Sequence, residues 1–328
     1  MVIIENSSMA FKLLNGVFCI YKPSDLHHRI LRWALRTNLC RDLNELPRAS
    51  AQSLVKIEPP DENSSEYRVT TVPDIRDHPL LLGPAFEKTD FNIRIAHFGV
   101  TEMAGVTVCG VGARGVGALR SMSHRNPVCT YHIQGKFGLR TTNYLQTGRV
   151  LERTTFSHVT RGRLERFLTF YQGQFQRHIQ SSYGVDPRSQ TAYELRARGL
   201  VRPRDDSLQL IYRLKLVDFQ PPYFTVEVHC INETDTFLMK MINDIAEDCK
   251  CSAVVTRLRR IRCGNFTLEH ALVRSDWTAA GIITNIQECA VAADREMALL
   301  DEPFLQRIPA ETLEERERIP NVLRLVRE

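Results

Sequence analysis

The run from Ile93 to Gly115 constrains the fold of this 328-residue chain more than any other. Its second half, Val106-Thr-Val108-Cys-Gly110-Val-Gly112, puts Val106 and Val108 on one face of a strand and closes on glycines. Gly110, Gly112 and Gly115 then satisfy a G-x-G-x-x-G pattern ahead of a helix start at Gly115–Arg125. Two architectures begin this way. In a dinucleotide-binding fold the turn cradles a pyrophosphate, the sheet is parallel and doubly wound, and an acid about 20 positions on takes the ribose hydroxyls. In an α+β domain the glycines let a strand turn sharply into a helix. No Asp or Glu occurs from Met103 to Leu151. The ribose ligand is therefore missing, and a nucleotide-binding oxidoreductase is the weaker reading.

The rest of the chain offers strands and helices without strict βαβ order. Gly16–Pro23 reads as a buried strand ending at Lys22-Pro23. Leu26–Arg41 spaces Leu31, Ala34, Leu35 and Leu39 as a helix does. Ala49–Pro73 is polar, contains Pro59, Pro60 and an acidic run, and reads as a surface loop or insertion. Thr160 is placed to cap a helix through Phe170, and Gln190–Leu200 reads as a shorter helix ended by Gly199. Phe224, Val226 and Val228 alternate with Thr225, Glu227 and His229, as in a half-buried strand. Thr236–Asp248 is helical, and Ala253–Arg262 is a strand carrying Arg257, Arg259, Arg260 and Arg262. In that strand Leu258 and Ile261 are expected inward and the guanidiniums outward. The expected fold is α+β, one mixed and mainly antiparallel sheet with flanking helices. From about residue 286 the chain becomes helix-prone and mixed in charge, which predicts an appended C-terminal tail.

Charge and cysteine usage narrow the class. The net charge is +5, and only 8 of the 43 basic residues are Lys. Arg presents a planar fork suited to phosphate oxygens and base edges. The acid-free interval holds Arg114, Arg120, Arg125, Lys136, Arg140 and Arg149 with no opposing charge, a pattern that favours a polyanion. The 9 Cys show no C-x-x-C pair, and no H-x-x-x-H or H-E-x-x-H spacing exists. These spacings predict no disulfide framework and no metal site. No apolar run approaches bilayer length.

Several blocks, taken in order, resemble the TruB family of RNA pseudouridine synthases. Gly16–Pro23 resembles the opening strand with its Lys-Pro, here Lys22-Pro23. His97–Gly112 resembles the active-site strand–loop–strand, and His97, Gly105, Val106, Gly110 and Gly112 agree with it. Tyr131, in Cys129-Thr-Tyr-His-Ile-Gln-Gly135, falls on the family tyrosine. Gln190-Thr-Ala-Tyr193-Glu194 with Ala197-Arg198-Gly199, and Leu258-Arg259-Arg260 with Gly264-Asn265-Phe266, match further blocks. The spacing is most similar to the animal mitochondrial branch.

The resemblance implies a pseudouridine-synthase fold with an RNA cleft over residues 1–286. It also implies a helical, mixed-charge tail over 287–328 without a PUA domain, and a mitochondrial location. A protein partner is one use of that tail. The family reaction needs no cofactor or metal. A uridine is flipped out of the RNA, an Asp takes part in breaking its glycosidic bond, a Tyr stacks on the base, and an Arg pairs with the Asp. Here the Asp position is Val100 and the Arg position is Met239, while Tyr131 remains. The two losses fit each other, because a buried Arg without its carboxylate is an uncompensated charge costing about 3–5 kcal/mol. Candidate RNA contacts are His97, Lys22, Arg140, Arg257, Arg259 and Arg260. The implied activity is binding of structured RNA (tRNA, or organellar rRNA or mRNA) with reduced or no uridine isomerisation. A competing reading keeps full activity through a non-standard carboxylate, Glu102.

Overall fold

Secondary structure forms where the apolar period is cleanest. The computed structural model describes residues 6–47, 53–58, 68–73, 83–96, 101–124, 126–182, 189–190 and 209–301. Its first part contains α1 (Ser7–Leu13), β1 (Gly16–Lys22), α2 (His28–Glu45), β2 (Ser53–Glu58) and β3 (Arg68–Pro73). The middle contains β4 (Ile93–Ile95), β5 (Ala104–Val111), α3 (Gly112–His124), β6 (Cys129–Phe137), β7 (Leu139–Thr141), β8 (Val150–Arg153) and α4 (Arg161–Ser182). The last part contains β9 (Leu210–Gln220), β10 (Tyr223–Ile231), α5 (Asp235–Asp248), β11 (Ala253–Cys263), β12 (Phe266–Thr267) and α6 (Ala279–Asp301).

Strands β1, β5, β11, β6, β10 and β9 lie side by side in that order, with β4 beside β5 and β12 beside β11. The pairings are antiparallel except β5 with β11, which is parallel and brief: Arg259 stands opposite Ala104 and Arg260 opposite Gly105. This is the mixed, mainly antiparallel sheet that the strand pattern predicts. A doubly wound parallel sheet, and with it the dinucleotide reading of Gly110–Gly115, is excluded. Those glycines serve packing: a Cβ on Gly115 would stand 2.1 Å from the Gly16 carbonyl oxygen.

The period of each element decides what it covers. On β10, Phe224, Val226 and Val228 are buried while Thr225, Glu227 and His229 are half-buried. The buried side joins Ile133, Leu258 and residues of α4 and α5, including Leu164, Leu168, Ile242 and Ile245, in one core. A second core lies over β1 and β5, where Leu31, Leu35, Leu39 and Leu43 of α2 meet Phe18, Ile20, Cys109, Val111 and Ile282. These leucines recur at every fourth position, the row that one helix face presents.

Three expectations meet a different outcome or fall outside the description. The polar stretch 49–73 contains a hairpin, β2 with β3, in which Ile57 pairs with Val69 and Val55 with Thr71. β-branched residues alternating on both arms supply the strand propensity that the flanking prolines and acids mask. The composition change at 286 falls within α6, whose Cys289, Ala292 and Glu296 are buried. Residues 302–328 lie outside the described residues, as do residues 191–200 of the expected helix at Gln190–Leu200.

Two local features hold the centre of the sheet. Gly105 has φ 113°, and a Cβ there would come within 2.0 Å of the Arg260 carbonyl oxygen. The parallel junction needs a residue without a side chain. Lys22, 4% exposed, ends β1 and donates from Nζ to the carbonyls of Thr101, Met103 and Pro23. It ties the end of β1 to the segment that leads into β5.

Gly105→Ala is expected to destabilise the fold by about 3 kcal/mol or more, combining strain at positive φ with a clash against backbone that cannot yield. Denaturant unfolding measures it, and a loss under 1 kcal/mol would contradict the close approach. Lys22→Met keeps the apolar stem but leaves buried carbonyls unpartnered, an expected loss of about 2 kcal/mol. Hydrogen exchange should quicken at residues 101–106 in that variant, while protection in α2 stays as before.

Candidate functional site

Tyr131 lies on β6 with Val228 of β10 and Arg260 of β11 as its register neighbours. Cross-strand partners share a face, and here that face is the one covered by helices; Tyr131 and Arg260 are each 1% exposed. The Tyr131 hydroxyl donates to a carboxylate oxygen of Glu233. Glu233 belongs to the turn after β10. Asn232 before it takes a left-handed φ of 55°. Thr234 after it caps α5 by accepting from the Phe237 amide.

Burial pushes the Glu233 carboxyl above its usual range, although the Tyr131 hydroxyl, a backbone amide, Arg260 and Cys129 all favour its charged form. Burial also raises the Tyr131 phenol, and Cys129 and Glu233 add to that rise. The phenol is thus firmly a donor at neutral pH. Burial works against the charge of Arg260, but Tyr131, Cys263, Cys129 and Glu233 outweigh it and hold the guanidinium protonated. Its Nε donates to the Val106 carbonyl at 2.7 Å.

Two further groups complete the surroundings. The Cys129 thiol donates to the Cys263 sulfur across 3.5 Å, one strand over. Lys22 is held down to about 8, first by burial and then by Arg260, with Asp235, Asp25 and Glu102 opposing. Two buried cations, Lys22 and Arg260, therefore feel one another at the start of β5, and Glu233 is the carboxylate that meets Tyr131 beside them.

The residues singled out from sequence fall into three sets. Tyr131 and Met239 are buried, the latter 5% exposed in the apolar core under α5. Glu102 is half-buried; its backbone carbonyl accepts from the Ser24 hydroxyl at 3.0 Å, and its charge acts on Lys22. His97 and Val100 lie outside the described residues. Among the basic residues, Arg257 and Arg259 are exposed on β11, Arg259 lying 5.4 Å over the Tyr21 ring. Arg140 is paired with Glu247 at 2.8 Å.

Arg260 corrects the expectation that all guanidiniums of this strand face outward. Strand alternation has period two, so Leu258 inward carries Arg260 inward, with Arg257 and Arg259 outward. Lys22 likewise points at backbone carbonyls rather than outward. Glu233 was missed altogether. Its only local signal is an acid just before a Thr at a helix start, a common arrangement that says nothing about a tyrosine 102 positions earlier. Among the described residues no His, Cys, Asp and Glu group is placed to hold a metal ion, and no helix is long and apolar enough to cross a membrane.

The family profile of the TruB family pseudouridylate synthase (N terminal domain) matches residues 94–236. The protein named Pseudouridylate synthase TRUB2, mitochondrial, from Homo sapiens is 36% identical over 296 residues, 89% of this chain and 87% of the human one. Its namesake from Xenopus tropicalis is 35% identical over 284 residues, 85% of this chain and 86% of its own. Among solved structures, the archaeal box H/ACA sRNP Nop10-Cbf5 complex aligns at TM-score 0.46 and 10% identity, over 84% of this chain and 59% of that one. The names of the first two relatives agree with the expected mitochondrial location. At this identity over nearly the whole length, the chain belongs to the TruB family of pseudouridylate synthases.

Proposed function

We propose that this protein binds structured RNA, a tRNA or an organellar rRNA or mRNA, in mitochondria, and isomerises uridine at a reduced rate or not at all. Met239 carries the reading. It falls where the family Arg is expected, and it is 5% exposed in an apolar core. A thioether cannot orient a carboxylate by charge. Val100 at the nucleophile position points the same way. The binding half rests on Arg257 and Arg259, exposed at neighbouring outward positions of β11. Within residues 287–328, the mixed-charge part that follows α6 is the segment we assign to a protein partner.

With an unmodified uridine-containing tRNA in excess, multiple-turnover pseudouridine formation should be at least about a thousandfold below that of a relative that has the Asp; rapid turnover overturns the reading. Binding of the same RNA should weaken with salt. Arg257→Ala with Arg259→Ala should weaken it at every salt concentration and reduce the slope of log affinity against log salt by about 2, one per phosphate contact. Binding that ignores both salt and these variants counts against an RNA role.

A further inference from the structure

Glu233 is a half-buried carboxyl group that faces Arg260 and to which the proposed reading gives no chemical role. It neither caps α5, which Thr234 does, nor takes part in the ladder of β10, which stops at Ile231. Burial disfavours its charge, and a group that costs stability needs another explanation. Its surroundings supply one. A carboxylate held by a phenol, with a guanidinium at hand, is equipment for breaking a glycosidic bond: the carboxylate meets the positive charge that grows at the anomeric carbon, and the phenol moves a proton. Glu233, Tyr131 and Arg260 come together here from a turn and two strands.

We propose that Glu233 is the reacting carboxylate of this site, that Tyr131 is its proton carrier and that Arg260 is a positioning cation, so that the isomerisation this chain retains runs through Glu233. The proposal rests on the reading above in one respect, that RNA is what enters the site. It deepens that reading by choosing a slow reaction over none.

The step balances without a co-reactant. A Glu233 oxygen bonds to C1′ of the bound uridine as the C1′–N1 bond breaks, and the electron pair leaves on the uracil ring. The ring turns, C5 attacks C1′, and the bond to Glu233 breaks to restore the carboxylate. The Tyr131 oxygen takes the proton from C5 while its own proton passes along the existing hydrogen bond to Glu233, and that proton then goes to N1. Bonds are exchanged, one proton is moved, and nothing is oxidised or reduced.

The same geometry explains why the reaction is slow. Tyr131 is sealed, while Glu233 is half-buried and stands on its solvent side. The turn that carries Glu233 must open to admit a nucleotide and close again to restore the Tyr131–Glu233 hydrogen bond. Glu102 is not in competition, because its segment is held through Ser24 and Lys22.

The test uses the full chain in excess over a pool of unmodified tRNA transcripts, with pseudouridine measured by mass spectrometry and binding measured in parallel. The wild type should form product slowly. Glu233→Gln, which keeps the shape and an acceptor for Tyr131, should lose at least a hundredfold in rate with RNA affinity unchanged within about twofold. Glu102→Gln should match the wild type. The rate should rise with pH up to a value above the ordinary glutamate range, because only the ionised form attacks, and a purely structural Glu233 would not produce that profile. Should Glu233→Gln fold poorly, Glu233→Asp keeps the charge and withdraws it by about one bond length, for which a loss of about a hundredfold is expected.

No product from wild type with bound RNA overturns the proposal and leaves the RNA-binding reading intact. Equal rates for wild type and Glu233→Gln overturn it as well. Failure to bind any transcript sinks both, and rapid product formation by wild type sinks the reduced-activity reading alone, provided Glu233→Gln abolishes it.

Discussion

The guanidinium of Arg260 stands where the sheet changes from antiparallel to parallel, and both the centre of the fold and the site depend on how it is satisfied. Its Nε reaches the Val106 carbonyl across the junction. Its backbone is approached so closely by Gly105 that no side chain fits there. A cation at 1% exposure is tolerated only if partners replace the water it has lost. The groups that keep it charged, Tyr131, Cys263, Cys129 and Glu233, are the groups that line the candidate site. The polar cluster is thus a condition of the strand order itself. Strands β5, β11 and β6 cannot lie side by side with Arg260 inward unless something nearby receives that charge.

This dependence shows what a sequence can and cannot disclose. Period-two alternation on β10 and the four-residue spacing of leucines on α2 are local, and both elements form as their patterns dictate. The presence of both strands and helices follows from such patterns, whereas the parallel pairing of β5 with β11 does not. Four arginines within six residues look like a solvated face, because charge ordinarily means exposure. Alternation says otherwise for Arg260, and its inward position becomes intelligible only once Tyr131 and Glu233 are known to face it. Which strand lies beside β6, and which turn reaches its tyrosine, are long-range facts that no local pattern encodes. The hairpin of β2 and β3 and the continuation of α6 past residue 286 were hidden differently, by polar neighbours that obscure a valid local period.

The charges around the start of β5 have a consistent logic. Lys22 and Arg260 are both buried and each opposes the other. The resemblance set out above would put a carboxylate at position 100 and an arginine at position 239, one charge of each sign. This chain has valine and methionine there, so the sum is unchanged and the two buried cations still call for an anion. Glu233 answers that call in part, and Asp235, Asp25 and Glu102 support Lys22 from further out.

Glu233 stands at the intersection of stability and chemistry. Its carboxyl titrates higher in the folded chain than in the unfolded one. Between those two values the native state holds more protons, so stability falls as pH rises through the interval and stays lower above it. Wherever Glu233 is ionised it is therefore a load on the fold, offset by Arg260 and the Tyr131 hydroxyl without being cancelled. Neutral Gln would remove that load and keep an acceptor for the phenol. The amide would, however, leave Arg260 with one counter-charge fewer. The charge of Glu233 thus serves Arg260 in the resting fold and, in the reaction proposed for this site, a carbon that becomes positive as its bond to nitrogen breaks.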